Sequence, residues 1–310
     1  MIVRITRILL VLQLLVAAAI AIAVVKVLGV ANVAIAIFAG ITTILLLRLF
    51  ITANNFYQSW RFRSETPPAY RLNWRQACKL FFGEYRATMT SSSWTMPFRT
   101  FEKRTASNMV GLPVLLIHGY GCNSGYWHPM SKALLRAGVA HRAIDMEPVM
   151  GGIDEYVPLI DRAVQTLCAE SGSEKIILLA HSMGGLAARA YLRKYGSHRI
   201  AKIITLGTPH RGTGIAHFGL GLNCRQMHWT ADGQEGIASE WLRELQTGES
   251  GETRALFVSI YSHHDNIIAP QTSSHLKGAK NIALQGIGHV ALAFSPSVQT
   301  MVIDEILATH

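Results

Sequence analysis

The chain has 310 residues, half of them apolar and 15% charged, with a formal charge of +10. That length suits one α/β domain plus an N-terminal appendage, and the chain is too apolar to be evenly soluble, so the apolar excess must be local. The charge is local too: from residue 111 onward sixteen basic side chains face sixteen acidic ones, and no nucleic-acid motif accompanies the basic stretch before them, which argues against a nucleic-acid partner.

Residues 1–51 carry Arg4, Arg7, Lys26 and Arg48 and no acid. Ile8 to Val25 is an apolar run broken only by Gln13, and Val27 to Leu47 is a second with Asn32 and two threonines as its polar residues. At 1.5 Å per residue each can cross a hydrocarbon core of about 30 Å, the first only just. A transmembrane helical hairpin is expected, turning at Lys26 and Gly29 with the lysine snorkelling to the interface. Arg4 and Arg7 precede it, and Arg48, Arg61 and Arg63 follow, so both ends and the following domain are expected on the cytoplasmic side of the cell membrane. The rival is a cleaved signal peptide, with Ala19-Ile20-Ala21 as its cleavage site. A domain on the outer side needs only one of the two runs to cross.

Residues 52–110 form a basic, aromatic juxtamembrane segment, with nine Lys and Arg against Glu65, Glu84 and Glu102. It holds Trp60, Trp74, Phe81, Phe82 and Trp94 and a helix-compatible stretch from Asn73 to Thr88. Each basic side chain near an anionic surface contributes about 1 kcal/mol of attraction. The segment reads as a membrane-facing collar, compatible with a solvated linker, and its helix either lies on the bilayer or packs on the domain.

Residues 111–310 alternate apolar runs with amphipathic stretches. Strands are expected at Val114–Ile117, Arg142–Met146, Lys175–Ala180, Ile200–Leu206, Ala255–Tyr261 and Lys280–Leu284. Helices are expected at Ser131–Ala137, Asp154–Ala169, Gly184–Lys194 and Ser297–Leu307. This alternation specifies an α/β domain with a parallel sheet covered on both faces, whose ligands bind beyond the carboxyl ends of the strands.

At one such end stands Ala180-His181-Ser182-Met183-Gly184-Gly185. A serine between strand and helix can be held on a sharp turn that presents its hydroxyl, provided its flanks are small. Gly184 and Gly185 fit, and Ala180 stands where the common pattern has glycine. The hydroxyl needs a base, and the base needs a partner that sets its tautomer. In chain order serine, acid, histidine, the candidates are Asp265, directly after the strand ending at Tyr261, and His289 in Gly286-Ile287-Gly288-His289. Asp232 has no strand before it and Asp304 lies beyond the base. His263 and His264 are expected to be exposed loop residues or supporting neighbours. An oxyanion requires two backbone donors, one after the nucleophile and one on an early loop. These are Met183 and Tyr120, the latter in His118-Gly119-Tyr120-Gly121.

With these motifs placed, residues 111–310 resemble the bacterial-type lipase and esterase branch of the α/β-hydrolases. The resemblance rests on Leu116-Ile117-His118-Gly119-Tyr120-Gly121, on the Ser182 pentapeptide, on Leu206-Gly207-Thr208-Pro209-His210-Arg211-Gly212-Thr213 and on the late Asp and His loops. It implies an α/β-hydrolase fold and hydrolysis of carboxylic esters, often lipid or hydrophobic acyl esters, through an acyl-serine; no cofactor or metal is expected, and the long hairpin and the lack of a defined calcium site depart from the secreted lipases of that branch. It also implies a cap at residues 211–250, where Trp229, Trp241 and Leu242 either cover an acyl pocket or serve as ordinary packing. Acyl transfer by the same triad is the enzymatic alternative, and a non-catalytic membrane scaffold is the alternative of another class. Cys78, Cys122, Cys168 and Cys224 are too scattered to suggest a metal or redox pair, and nothing in the sequence indicates the oligomeric state.

Overall fold

The computed structural model describes residues 1–105, 109–231 and 236–309. Two long helices open the chain, α1 (Ile2–Lys26) and α2 (Val33–Arg61), and both are long and apolar enough to cross a membrane. They turn through Gly29, and the Asn32 side chain caps α2 by accepting from the N–H groups of Ala34 and Ile35. The hairpin expected to end at 51 is longer on its second arm. No glycine or proline interrupts residues 41–66, so α2 continues unbroken to Arg61.

Helix α3 (Trp74–Thr90) begins at a capping box formed by Asn73 and Gln76. It packs on both sides of the question left open by its sequence. Leu80, Glu84 and Ala87 are buried against the domain, whereas Trp74 and Phe82 are exposed. The Phe81 ring meets Phe56 of α2 at 5.8 Å, and the Tyr85 hydroxyl reaches the Leu45 carbonyl.

The α/β domain is built on a seven-stranded sheet of β1 (Lys103–Arg104), β2 (Val114–Ile117), β3 (His141–Ile144), β4 (Ile176–His181), β5 (Ile200–Leu206), β6 (Phe257–Ser262) and β7 (Lys280–Leu284). Its order is β1-β3-β2-β4-β5-β6-β7, parallel throughout except for β1 at the edge. The strand beginning expected at Ala255 starts at Phe257, because Ser250 caps a short helix at Gly251–Ala255. The helices are α4 (His128–Arg136), α5 (Val157–Ser171), α6 (Met183–Tyr195), α7 (Glu240–Thr247) and α8 (Pro296–Leu307). The helix expected from Asp154 starts at Val157, since Pro158 favours the first turn and residues 153–156 form a 3-10 turn before it.

The period of two along the strands divides the core. Leu115, Ile117, Leu178 and Phe257 pack with α5, α6 and α7 on one face. Val114, Leu116, Leu179 and Ile260 pack with α4 and α8 on the other. Both faces are dry, which is why these strands read as continuous apolar runs rather than alternating ones. Chain order reverses between β2 and β4, whose register pairs Ile117 with Ala180. The loops leaving these two strands therefore open side by side, where such sheets bind ligands.

Residues 211–250 contain a 3-10 turn at Gly214–Phe218, a short helix at Leu222–Gln226, a two-stranded ribbon (Trp229–Thr230 with Ile237–Ala238) and α7. Leu242 is fully buried in the core below α7. Trp241 instead hydrogen-bonds Asp154 at 2.6 Å and lies under the Arg193 guanidinium. Leu242 is thus core packing and Trp241 a surface contact, while Trp229 is largely buried in the ribbon. All four cysteines are free thiols.

Candidate active site

Ser182 joins β4 to α6 with φ 55° and ψ −127°, the one non-glycine residue with positive φ among the described residues. Such a conformation costs on the order of 1–3 kcal/mol and persists only where neighbours over-determine it. Those neighbours are specific. A side chain at Gly184 would strike the carbonyl oxygens of Ile117 and His118 at 2.5 Å, and one at Gly185 would strike the Thr208 hydroxyl at 2.1 Å. Thr208 in turn donates to the Ser182 carbonyl at 2.9 Å, and the Ser182 N–H donates to the Leu206 carbonyl. The turn is thus clamped by the β2 loop on one side and the β5 loop on the other.

The candidate acid and base, Asp265 and His289, follow two neighbouring strands, β6 and β7. Asp265 is buried, and its carboxylate is saturated: Oδ1 accepts from the N–H groups of Ile267 and Ile268 at 2.8 and 2.7 Å, while Oδ2 meets His289 Nδ1 at 2.8 Å. This bond assigns the proton to Nδ1 and leaves Nε2 as the basic nitrogen. Burial pulls the His289 imidazole down, but the Asp265 charge and hydrogen bond, with Glu84 behind them, outweigh burial and hold it above its ordinary value.

His181 packs between Tyr126 and His289, at ring-centroid distances of 4.4 and 4.5 Å, and its Nε2 donates to the His289 carbonyl. Burial first, then the neighbouring His289, keeps His181 well below the usual histidine range, so it stays neutral. Ala180, fully buried, pairs with Ile117 and Thr205 in the sheet. Gly119 lies so close to the nucleophile that a side chain there would reach the Ser182 Cβ at 2.8 Å. The Tyr120 hydroxyl bridges the Leu220 backbone at 2.9 Å, tying this loop to residues 214–226. Among the described residues, the N–H groups of Tyr120 and Met183 donate to no protein acceptor, and the Ser182 hydroxyl makes no hydrogen bond. Serine–histidine bonds are often long before substrate binds.

His263 is buried rather than exposed, tilted against Tyr70 at 4.4 Å and edge-on to Tyr261. His264 Nδ1 accepts from the Gly286 N–H and steadies the base loop. Asp232 lies outside the described residues.

Three contributors come from regions whose sequence does not advertise them. Ser59, in the last turn of α2, donates to the Asp265 carbonyl at 2.9 Å, and Gln271 donates to both. Glu84 of α3, only 1% exposed, accepts from the N–H groups of Val290 and Ala291 at 3.0 and 2.9 Å, directly after the base. Its signal is the spacing Leu80, Glu84, Ala87, which places an acid on the apolar face of a helix. The segment expected as a collar therefore supports the acid and base loops.

Residues 113–218 match the family model described as alpha/beta hydrolase fold. Over 114 residues the chain is 28% identical to a triacylglycerol lipase of Pseudarthrobacter phenanthrenivorans, covering 34% of this chain and 35% of that protein. It is also 28% identical over 114 residues to a triacylglycerol lipase of Burkholderia plantarii, covering 34% and 32%. The aligned stretch thus spans about a third of the length of these relatives. The mature form of the Bacillus licheniformis lipase BlEst2 superposes with a TM-score of 0.57 at 15% identity, covering 67% of this chain and 97% of that one. The chain has the α/β-hydrolase fold, and about a third of it is similar in sequence to bacterial triacylglycerol lipases.

Proposed function

We propose that the chain is a membrane-anchored serine hydrolase of carboxylic esters, acting on hydrophobic acyl groups. Ser182 Oγ attacks the ester carbonyl carbon as His289 Nε2 takes its proton. The tetrahedral intermediate collapses to an acyl-serine as His289 returns that proton to the leaving alcohol. Water, deprotonated by the same nitrogen, then releases the carboxylic acid and restores the serine. Asp265 fixes the imidazole and stabilises its charged form, and the N–H groups of Tyr120 and Met183 bind the oxyanion.

The observation that carries this reading is the left-handed Ser182, set between the Gly119 loop and a buried Asp265–His289 pair. The two triacylglycerol lipases support an acyl ester as substrate. For the anchor, Leu14 and Phe38 are each 70% exposed on helices long enough to span, a surface suited to lipid rather than water. The positive-inside pattern supports a domain on the cytoplasmic side.

Labelling with a fluorophosphonate and hydrolysis of nitrophenyl esters test the chemistry. The native chain is expected to react at Ser182, and Ser182→Ala to lose labelling and at least about 10³-fold in kcat. Full activity in that variant would refute the mechanism. Recovery of the chain in the soluble fraction after high-salt washing would refute the anchor alone.

A further inference from the structure

The catalytic base is held by more than its acid. The His289 N–H donates to Asn266 Oδ1 at 2.9 Å, and the His289 carbonyl accepts from His181. Immediately beyond, residues 290–294 form a 3-10 turn whose first N–H groups, Val290 and Ala291, both end on Glu84. Burial pushes the Glu84 carboxyl above its ordinary value, but each of its oxygens takes one backbone donor, an arrangement that opposes burial and fits the deprotonated form. Gly288 presses on the same group: a Cβ there would lie 2.5 Å from Glu84 Oε2. The residues on both sides of His289 are thus shaped around one buried carboxylate that the hydrolytic steps do not use.

The geometry points to Glu84 as a positioning residue that aims His289 Nε2 at Ser182 and adds negative charge behind the imidazole. This inference rests on His289 being the base. The groups that face His289 are Asp265 from the β6 loop, Glu84 from α3 and neutral His181 after β4, with the Tyr126 hydroxyl on the Val290 carbonyl. A charge on Glu84 favours the imidazolium formed in each transfer. Its removal has two separable effects, a displaced loop and a less basic histidine. A misplacement of about 1 Å at a reacting nitrogen can cost on the order of 10²-fold.

The test compares the native full-length chain with Glu84→Gln and Gly288→Ala by nitrophenyl ester kinetics across pH, fluorophosphonate labelling rate and Tm. The glutamine keeps the shape but turns an amide N–H₂ toward one of the two backbone donors. Glu84→Gln is expected to lower kcat roughly 10- to 100-fold with KM within about twofold, and to move the acidic limb of kcat/KM to lower pH. Gly288→Ala, which displaces the carboxylate and leaves its charge, is expected to lower kcat with a smaller movement of that limb. A native kcat and an unmoved limb in Glu84→Gln overturn the inference, whatever its Tm. Where Glu84→Gln does not fold, a native kcat in Gly288→Ala overturns it. A native chain that fluorophosphonate does not label refutes the hydrolase reading instead.

Discussion

Helix α6 begins at one cluster of buried charge and, two turns on, enters another. At its start, Ser182, His289, Asp265 and Glu84 are all buried, with 6, 4, 2 and 1% exposure. Further along, fully buried Arg189 grips Glu249 through Nε and Nη2 at 2.6 and 2.8 Å and gives Nη1 to the His210 carbonyl. The two clusters are similarly buried and differently closed. Arg189 and Glu249 spend their strongest directions on each other in a bidentate pair. In the first cluster two groups are left over: His289 Nε2 and Ser182 Oγ make no hydrogen bond among the described residues. A closed network fixes a fold, whereas one left open at a base and a nucleophile retains its capacity to react.

The contrast breaks most sharply at the acid. In Asp265→Asn the amide oxygen can keep the two N–H donors of Ile267 and Ile268, which forces the N–H₂ group toward His289 Nδ1. The imidazole then carries its proton on Nε2, the wrong tautomer, and kcat is expected to fall about 10⁴-fold with little change in Tm. A loss below tenfold would show that Asp265 is not the tautomer-setting partner. Arg189→Met should do the converse. It leaves the Glu249 charge buried without its main partner, a loss of roughly 3–5 kcal/mol in chemical denaturation, while the folded fraction keeps its kcat. A large kcat loss at native stability would place Arg189 with the reactive cluster. Thr208→Val is the smallest of the three: it deprives the Ser182 carbonyl of a donor at about 1 kcal/mol, and urea unfolding is expected to report that without a change of KM.

The open cluster was legible where its chemistry coincides with strand ends. Ser182, Asp265 and His289 each follow an apolar run, and strands β5 and β7 end where their apolar patterns end. The small flanks of the serine follow from backbone approaches that a sequence motif records. What was not legible came from long-range packing. The period of α3 shows that Glu84 lies on the apolar face, but not that the face meets the loop after β7. Ser59 has no such signal: the uninterrupted sequence lets α2 run on to Arg61, but the docking of its last turn on the Asp265 carbonyl depends on tertiary contact. Leu242 and Trp241 illustrate the same limit: neighbours in sequence, one is core and the other a surface partner of Asp154 and Arg193.

The pH dependence separates the two clusters by a single proton. In the proposed mechanism His289 must be neutral to accept the Ser182 proton, so kcat/KM is expected to rise as pH climbs through its folded-state pKa. Burial alone would put that value below the ordinary 6.5; Asp265, with Glu84, raises it above. The acidic limb is therefore expected above pH 6.5, and in Asp265→Asn, where burial prevails, below it. Stability carries the opposite sign. A histidine whose pKa is higher in the folded state contributes stability that is complete below the unfolded value and is lost as pH rises through the folded one. Between those two values the enzyme gains activity while the His289 contribution to its unfolding free energy declines. Rate profiles and urea titrations over about pH 5 to 9 read both quantities, and a native limb at or below 6.5 would mean that burial, not the carboxylates, governs the base.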